Sequence, residues 1–413
     1  MAQAFASLLE LNGLLRSGSV KARAVIREAA RRLEAEAGPG GAVRSVFLKD
    51  ALEAARGVER ELKRGRTRGI LQGAPFGVSE LLQTARRAPV WDPHAPPQEV
   101  EDAAAVSRLK SARAAPLALL ASNAFGGIAE GFGASEDACG LVVSRGLLPF
   151  AVSLDFNGNV LRAALRRGCW ALRPTFGTVS AYGTAPLSWT LGAVSVVART
   201  PEDCGHVLAA MSGGDSRSPY SPGRTFRFAP EYARPVRGLS VADAGAEAGL
   251  RTWLERQGAV LTAAPKPQGL PLEILETVIA AETGEVLEQE LAQCGQCQRF
   301  LDQARELTAF EYLRAMRLRQ ALRDWYNSAL AGADVIVLPG GPRILAGPEG
   351  GEGNAPQQWL ATALLAGVPI IACGGSSEQH LSAFCLTGRA GAENTLLRLA
   401  GAVAEGAPLS EKS

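Results

Sequence analysis

The sequence predicts an α/β fold with a mixed β-sheet and helices on both faces. Three observations predict it. Apolar runs of strand length, such as Pro116–Leu120 and Val335–Leu338, alternate with stretches of helical periodicity. Leu239–Ala242, Gly249–Arg256 and Val260–Ala263 follow one another as a β-α-β unit, the arrangement that places strands in one parallel or mixed sheet. No internal repeat is present.

The elements follow in order. Val25, Ile26, Ala29 and Leu33 recur at helical spacing, with Ser19 as the N-cap. A second helix covers Lys49–Arg64 and turns Leu52, Ala55 and Leu62 inward. A Gly/Pro-punctuated stretch, GILQGAPFGVSE (Gly69–Glu80), and a Pro-rich segment around Trp91–Pro97 come next. Asp102 caps a helix reaching Ala114, and Pro116–Leu120 is a short buried strand. From Leu141 to Arg199 strand-like runs alternate with glycine turns, and Pro201–Ser212 is a helix. Thr308-Ala-Phe-Glu311 is a capping box opening a long helix, with Leu313, Met316, Leu322 and Trp325 along its apolar side. Val335–Leu338 is a buried strand stopped by Pro339, and Gly350–Asn354 is a Gly-rich loop. Val368–Cys373 is a further strand and Ala392–Val403 a terminal helix.

Composition excludes several classes. A chain of 413 residues can bury a large core, and 47% hydrophobic content excludes wholesale disorder. Lys+Arg is 43 and Asp+Glu is 41, a net charge of +2 that gives no basis for a nucleic-acid or acidic-membrane partner. The longest apolar stretch, Ala361–Cys373, is broken by Gly367 and Pro369 and is too short to span a bilayer. The N-terminal segment lacks a basic start and carries Glu10 in its apolar run, so no signal peptide is expected. Seven scattered cysteines fit reduced thiols and a cytoplasmic location. The basic residues are a bacterial-type, arginine-rich set with only six lysines: Lys21, Lys49, Lys63, Lys110, Lys266 and Lys412. Few positions can therefore supply a lysine that gives up its proton, which arginine does not do.

Several pieces, in this order, resemble the amidase-signature family of amide hydrolases. GILQGAPFGVSE is similar to that family's G-x-L-x-G-x-P-x-x-V-K-[DE] stretch. LASNAFGGIAEGFGAS (Leu120–Ser135) and LLPFAVSLDFNGNVLRAA (Leu147–Ala164) resemble its next two segments. The strongest match is LRPTFGTVSAYGTAPLSWTLGAVSVVARTPEDC (Leu172–Cys204), and ARELTAFEYLRAMRLRQ, ADVIVLPG and LLAGVPIIACG fit the tail. The resemblance implies one domain over 1–413 around a large twisted mixed sheet flanked by helices. Within it, 1–68 supplies N-terminal helices, 69–212 the signature core and 213–413 a C-terminal α/β part.

The resemblance also implies a Ser–cis-Ser–Lys triad. A serine hydroxyl needs a base at neutral pH, an unprotonated lysine can act through a bridging serine, and loop N–H groups stabilise the oxyanion. Carried over residue by residue, the lysine falls on Ser79 and the nucleophile on Asn159. The bridging-serine run maps to a deletion at Gly140/Leu141, which should leave a shortened loop there, and the oxyanion glycines map to Asn157 and Gly158. No family mechanism survives these changes, so no catalytic residue is assigned. Ser79, Asn123, Ser135, Asp155, Asn157, Gly158 and Asn159 are the ligand-binding candidates. Their polar groups can face a ligand, or they can satisfy one another as buried polar groups must.

No metal or cofactor is expected. Cys294-Gly-Gln-Cys297 is a lone C-x-x-C read as a surface turn, and His94, His206 and His380 are far apart. His206 reads as solvated, while His380 can approach the cleft. Cys139 beside a histidine is an alternative nucleophile, and a small buried hydrophobe is its other reading. Three functions remain: an inactive amidase-fold protein serving as a binding or scaffold subunit with a pocket for a small amide or carboxylate; an active amidohydrolase using non-family residues; or a subunit of an amidotransferase-like complex. A protein partner or homo-oligomer is compatible with each.

Overall fold

The computed structural model describes residues 7–38, 41–89, 91, 95–122, 137–221, 223–267, 269, 271–293, 297–340, 355–374 and 383–406. The strands are β1 Val43–Val46, β2 Pro75–Ser79, β3 Ala115–Leu120, β4 Phe150–Asp155, β5 Trp170–Arg173, β6 Ala193–Ala198, β7 Ser240–Asp243, β8 Val260–Ala263, β9 Val335–Pro339, β10 Ile370–Cys373 and β11 Phe384–Gly388. They form one 11-stranded sheet in the order β1-β3-β2-β4-β6-β5-β10-β11-β9-β7-β8. β3, β2 and β4 run parallel, as do β9, β7 and β8. The ladder from β4 through β6, β5, β10 and β11 to β9 is antiparallel.

Every residue of β4, β5 and β6 is buried. Strands covered on both faces read as continuous apolar runs, which is why this part of the sequence looks strand-like without alternation. The Leu172–Thr200 segment thus supplies the middle of the sheet.

The helices are α1 Leu8–Arg16, α2 Ala22–Glu34, α3 Leu48–Lys63, α4 Ala104–Ser111, α5 Ala138–Ser144, α6 Asn159–Arg167, α7 Pro201–Met211, α8 Ala248–Arg256, α9 Pro271–Val286, α10 Glu288–Gln293, α11 Gln298–Glu306, α12 Ala309–Ala329, α13 Ala355–Ala366 and α14 Glu393–Gly406. α5 and α6 pack together against β4, and α7 and α14 pack together, α7 on β5 and β6 and α14 on β10 and β11. β7, α8 and β8 form the expected parallel β-α-β unit. Thr308 and Glu311 make the expected capping box at the start of α12. None of the described helices is long and apolar enough to cross a membrane.

Several expectations are corrected. α2 has Lys21 at its N-cap with no side-chain bond, and Ser19 pairs with Ser17 instead. Asp102 does not cap α4; it accepts from the Ala85 N–H at 2.8 Å and pairs with Lys110 at 2.5 Å. Between Leu141 and Arg199 the glycine turns are present, with Gly146, Gly158, Gly168, Gly177 and Gly183 left-handed, but two of the strand-like runs are the helices α5 and α6. Leu313 is 60% exposed, while Leu322 faces the core of α12. His206 is half-buried, with its ring edge-on to Phe228 at 4.7 Å. Cys297 is fully buried and belongs to the core, so it lies in no surface turn. Gly350–Asn354, Cys294, His94 and His380 lie outside the described residues.

Candidate active site

β4 ends on Asp155, and the chain turns through Phe156, Asn157 and Gly158 into α6. Gly158 is left-handed, with φ 86°, a backbone region that favours glycine. The turn is closed by its own side chains. Asp155 Oδ1 accepts from the Gly158 N–H at 2.7 Å, and Oδ2 accepts from the Val160 N–H at 3.2 Å. The carboxylate thus sits on the orphan N–H groups at the start of α6, where the helix dipole also favours negative charge. Asn157 Oδ1 accepts from the Asn159 N–H at 3.0 Å. Asn159 Nδ2 donates to the Leu154 carbonyl at 3.2 Å, and its Oδ1 accepts from the Phe156 N–H at 3.3 Å.

Two arginines meet this turn, and neither was singled out from the sequence. Arg173 Nη1 donates to Asp155 Oδ1 at 3.0 Å, with both side chains essentially unexposed. Its other terminal nitrogen donates to the Leu191 carbonyl. Burial holds Arg173 below the usual arginine range, against the pull of Asp155. Arg162 is different. It is 5% exposed, and its Nε and Nη2 have no hydrogen-bond partner. Burial lowers its pKa to about 10, with Asp155 pulling the other way. Long helical side chains point toward the N-terminus of their helix, so Arg162 lies back over the turn. A Cβ built on Gly158 would stand 3.2 Å from Arg162 Nη1. The available signal was the surrounding pattern. Val160, Leu161, Ala163, Ala164 and Leu165 are apolar and buried on both sides of Arg162, which is buried with them, while Arg166 and Arg167 close the helix outside that buried run.

Ser79 closes β2 and is fully buried, its hydroxyl accepting from the Leu81 N–H at 3.3 Å. β2 runs parallel to β4 with Val78 opposite Val152, so Ser79 and Ser153 come next on the two strands and share a face. Ser153 Oγ donates to Asp137 Oδ2 at 2.6 Å, while Asp137 Oδ1 accepts from the Cys139 N–H at 2.9 Å and caps α5. Burial pushes the Asp137 carboxyl up, with nearby Asp155 adding to the rise. Asp137 and Ser153 were also missed from the sequence.

The predicted site residues separate into groups. Asp155, Asn157, Gly158 and Asn159 come together in one turn, and Ser79 lies on the neighbouring strand β2. Asn123 and Ser135 lie outside the described residues. Gly140 and Leu141 sit inside α5, so no shortened loop exists at that junction. The close packing of α5 on α6 also needs Gly140, since a Cβ there would stand 2.8 Å from the Ala163 carbonyl oxygen. No hydrogen bond joins Ser79 to Asn159 among the described residues, and Ser188 donates to Glu282 instead of reaching either. Cys139 is a poor nucleophile: burial and then Asp137 push its thiol well above the ordinary range, opposite to thiolate activation. No group of three or more His, Cys, Asp or Glu side chains suited to a metal ion occurs among the described residues.

The mixed sheet, with β4 ending on the N-terminal turn of α6, defines an α/β protein. One glutamyl-tRNA(Gln) amidotransferase subunit, from Anaeromyxobacter dehalogenans (strain 2CP-C), is 25% identical over 93% of this chain and 93% of its own. A bacterial aryl acylamidase belonging to the amidase-signature enzymes superimposes with a TM-score of 0.81 at 17% identity, covering 98% of this chain and 97% of its own. A structure described as an unexpected vestigial protein complex, revealing the origins of an s-triazine catabolic enzyme, gives a TM-score of 0.84 at 21% identity over 98% of this chain and 100% of that one. No family model matches the chain. The chain thus has the fold of amidase-signature proteins and is similar in sequence to amidase and amidotransferase relatives at 25–26% identity.

Proposed function

We propose that this protein is an inactive amidase-signature protein that binds a small carboxylate or amide at the β4–α6 turn. The observation that carries the reading is Arg162. An unpaired guanidinium nitrogen, buried and away from water, costs folding free energy. A carboxylate reaching the Arg162 guanidinium would supply both the missing acceptors and the missing charge. Inactivity is supported by the commitments around it. Both ends of the Asn159 amide hold backbone, and Ser79 offers no base. The altered signature positions of the sequence point the same way.

A role inside an assembly fits this reading. The amidotransferase relative is named as a subunit, and the vestigial complex is a structural neighbour. On the chain itself, the balance of charge favours a protein or small-molecule partner over nucleic acid, and the reduced-thiol composition favours the cytoplasm.

The test pairs an amidase assay on simple aryl and aliphatic amides with a thermal-shift titration using acetate, succinate and propionamide. The expected outcome is no turnover above background, together with a carboxylate-dependent rise in Tm that disappears in Arg162→Met. Turnover by the native protein that is lost in Asn159→Ala would overturn the inactive reading. A thermal shift that persists in Arg162→Met would overturn the placement of the ligand.

A further inference from the structure

The outward stripe of α12 combines a protruding apolar group with a cleft beside it. Phe310 is 84% exposed and Leu313 is 60% exposed. With Arg317 they recur at i, i+3 and i+7, so they share one face, opposite the buried Ala315, Arg319, Leu322 and Tyr326. Next to this stripe lies a cleft of about 280 Å³, whose lining includes Ala281, Leu301, Ala304 and Leu307. Glu285 and Glu288 stand among the same residues. The cleft is large enough for an aromatic side chain, and its lining mixes small apolar groups with Thr308 and Tyr312.

The charges are arranged in the same sense. Arg314 and Arg317 flank the Phe310–Leu313 knob, are exposed, and make no ion pair among the described residues. Glu285 is exposed at the cleft, while Glu288 pairs with Arg305 at 2.8 Å. The knob is therefore basic at its margin, while at the cleft Arg305 offsets Glu288 and Glu285 leaves the net negative charge.

We propose that this face is a two-fold interface with a second copy of the chain, in which Phe310 of each copy enters the cleft of the other. A two-fold contact uses one patch on both protomers, so that patch must contain both the knob and its hole. This one does, and the opposite charges beside them meet twice across the axis. An exposed phenylalanine and leucine beside a lined cleft form a patch of the kind that marks an interaction site, unlike a solitary surface leucine. Aromatic anchors filling pockets are also the groups that dominate association energy.

The test is sedimentation velocity of the full chain over a concentration series. The native chain is expected to sediment as a dimer at the upper concentrations. Phe310→Asp is expected to weaken the dimer by roughly 30-fold or more. Arg317→Glu is expected to weaken it less, and its effect should shrink as salt rises. Leu9→Asp, on the 68% exposed Leu9 of α1, should leave the dimer unchanged. Circular dichroism melting checks that each variant is folded, and exposure of Phe310 makes unfolding an unexpected result. A native chain that stays monomeric throughout, or a dimer that Phe310→Asp leaves intact, overturns the proposal.

Discussion

Arg173 and Asp155 form a buried ion pair across two strands of the sheet, Nη1 to Oδ1 at 3.0 Å, and the same carboxylate holds the first turn of α6. One acidic group thus compensates the buried charge of β5 and the open N–H groups of a helix. The anion position at this helix N-terminus is filled by the protein itself.

Asp155→Asn should therefore be among the most destabilising conservative substitutions in the chain. Removing one partner of a buried pair leaves the other charge uncompensated, at a cost of about 3–5 kcal/mol. Urea unfolding would measure it. Asp155→Asn combined with Arg173→Met should cost less than the sum of the single changes, because the orphaned charge is gone. Additive losses would mean that the pair contributes nothing beyond its separate hydrogen bonds.

Arg162→Met should behave in the opposite way. The native guanidinium has Nε and Nη2 unpartnered inside the protein, so a methionine of similar length relieves a desolvation cost. Stability of the ligand-free protein should stay level or rise by about 1–3 kcal/mol. A gain in stability with a loss of carboxylate response is the pattern of a residue retained for binding. A large loss of stability would show that Arg162 is structural.

Asp203 predicts a pH dependence. It lies in the first turn of α7, and its two oxygens accept from the Leu8 N–H of α1 at 3.0 and 3.1 Å. Burial raises its pKa from 3.8 to about 7, and the Leu8 and Thr200 hydrogen bonds act against the rise. The folded chain therefore holds this proton through a window in which the unfolded chain has released it. The sign follows: stability attributable to Asp203 is greatest below about pH 4, falls as pH rises through the window, and levels off above about pH 7. Asp203→Asn should flatten that slope in unfolding experiments between these limits. An unchanged slope would assign it to other groups.

Much of the fold could be read from the sequence because buried strands leave unbroken apolar runs. Pro116–Leu120, Val335–Leu338 and Val368–Cys373 each lie on or over a strand, though the last begins at Ile370. The errors have physical causes. Ser19 and Asp102 have the chemistry of N-caps, but the Ser19 hydroxyl pairs with that of Ser17 just before it and Asp102 accepts from the Ala85 N–H of another segment. α5 is a seven-residue helix that is mostly buried, too short and too uniformly apolar to show the amphipathic period that announces a helix. Leu313 obeys the helical spacing yet faces outward, since periodicity locates an apolar group without saying what covers it. The β4–α6 turn was legible through Asp155, Asn157 and Asn159. Arg162 and Arg173 were not, because a charged side chain is normally a surface signal.

Restoring the family residues should not restore activity. Ser79→Lys together with Asn159→Ser puts lysine and serine where the resemblance implies the base and the nucleophile. The structure makes this pair costly. Ser79 is 0% exposed within a sheet strand, and a lysine there must bury its ammonium or displace neighbours. Asn159→Ser deletes the Nδ2 bond to the Leu154 carbonyl and the acceptor for the Phe156 N–H, each worth about 1 kcal/mol, and leaves both backbone groups buried. The hydroxyl of Ser153 on the neighbouring strand is already donated to Asp137 and is not free to relay a proton. The double variant should therefore melt at lower temperature than the native chain and still show no amide hydrolysis above background. The readouts are calorimetric Tm and release of product from an aryl amide. Recovery of turnover in the double variant, absent from either single one, would show that the rest of the catalytic apparatus is intact and that only these two side chains had been lost.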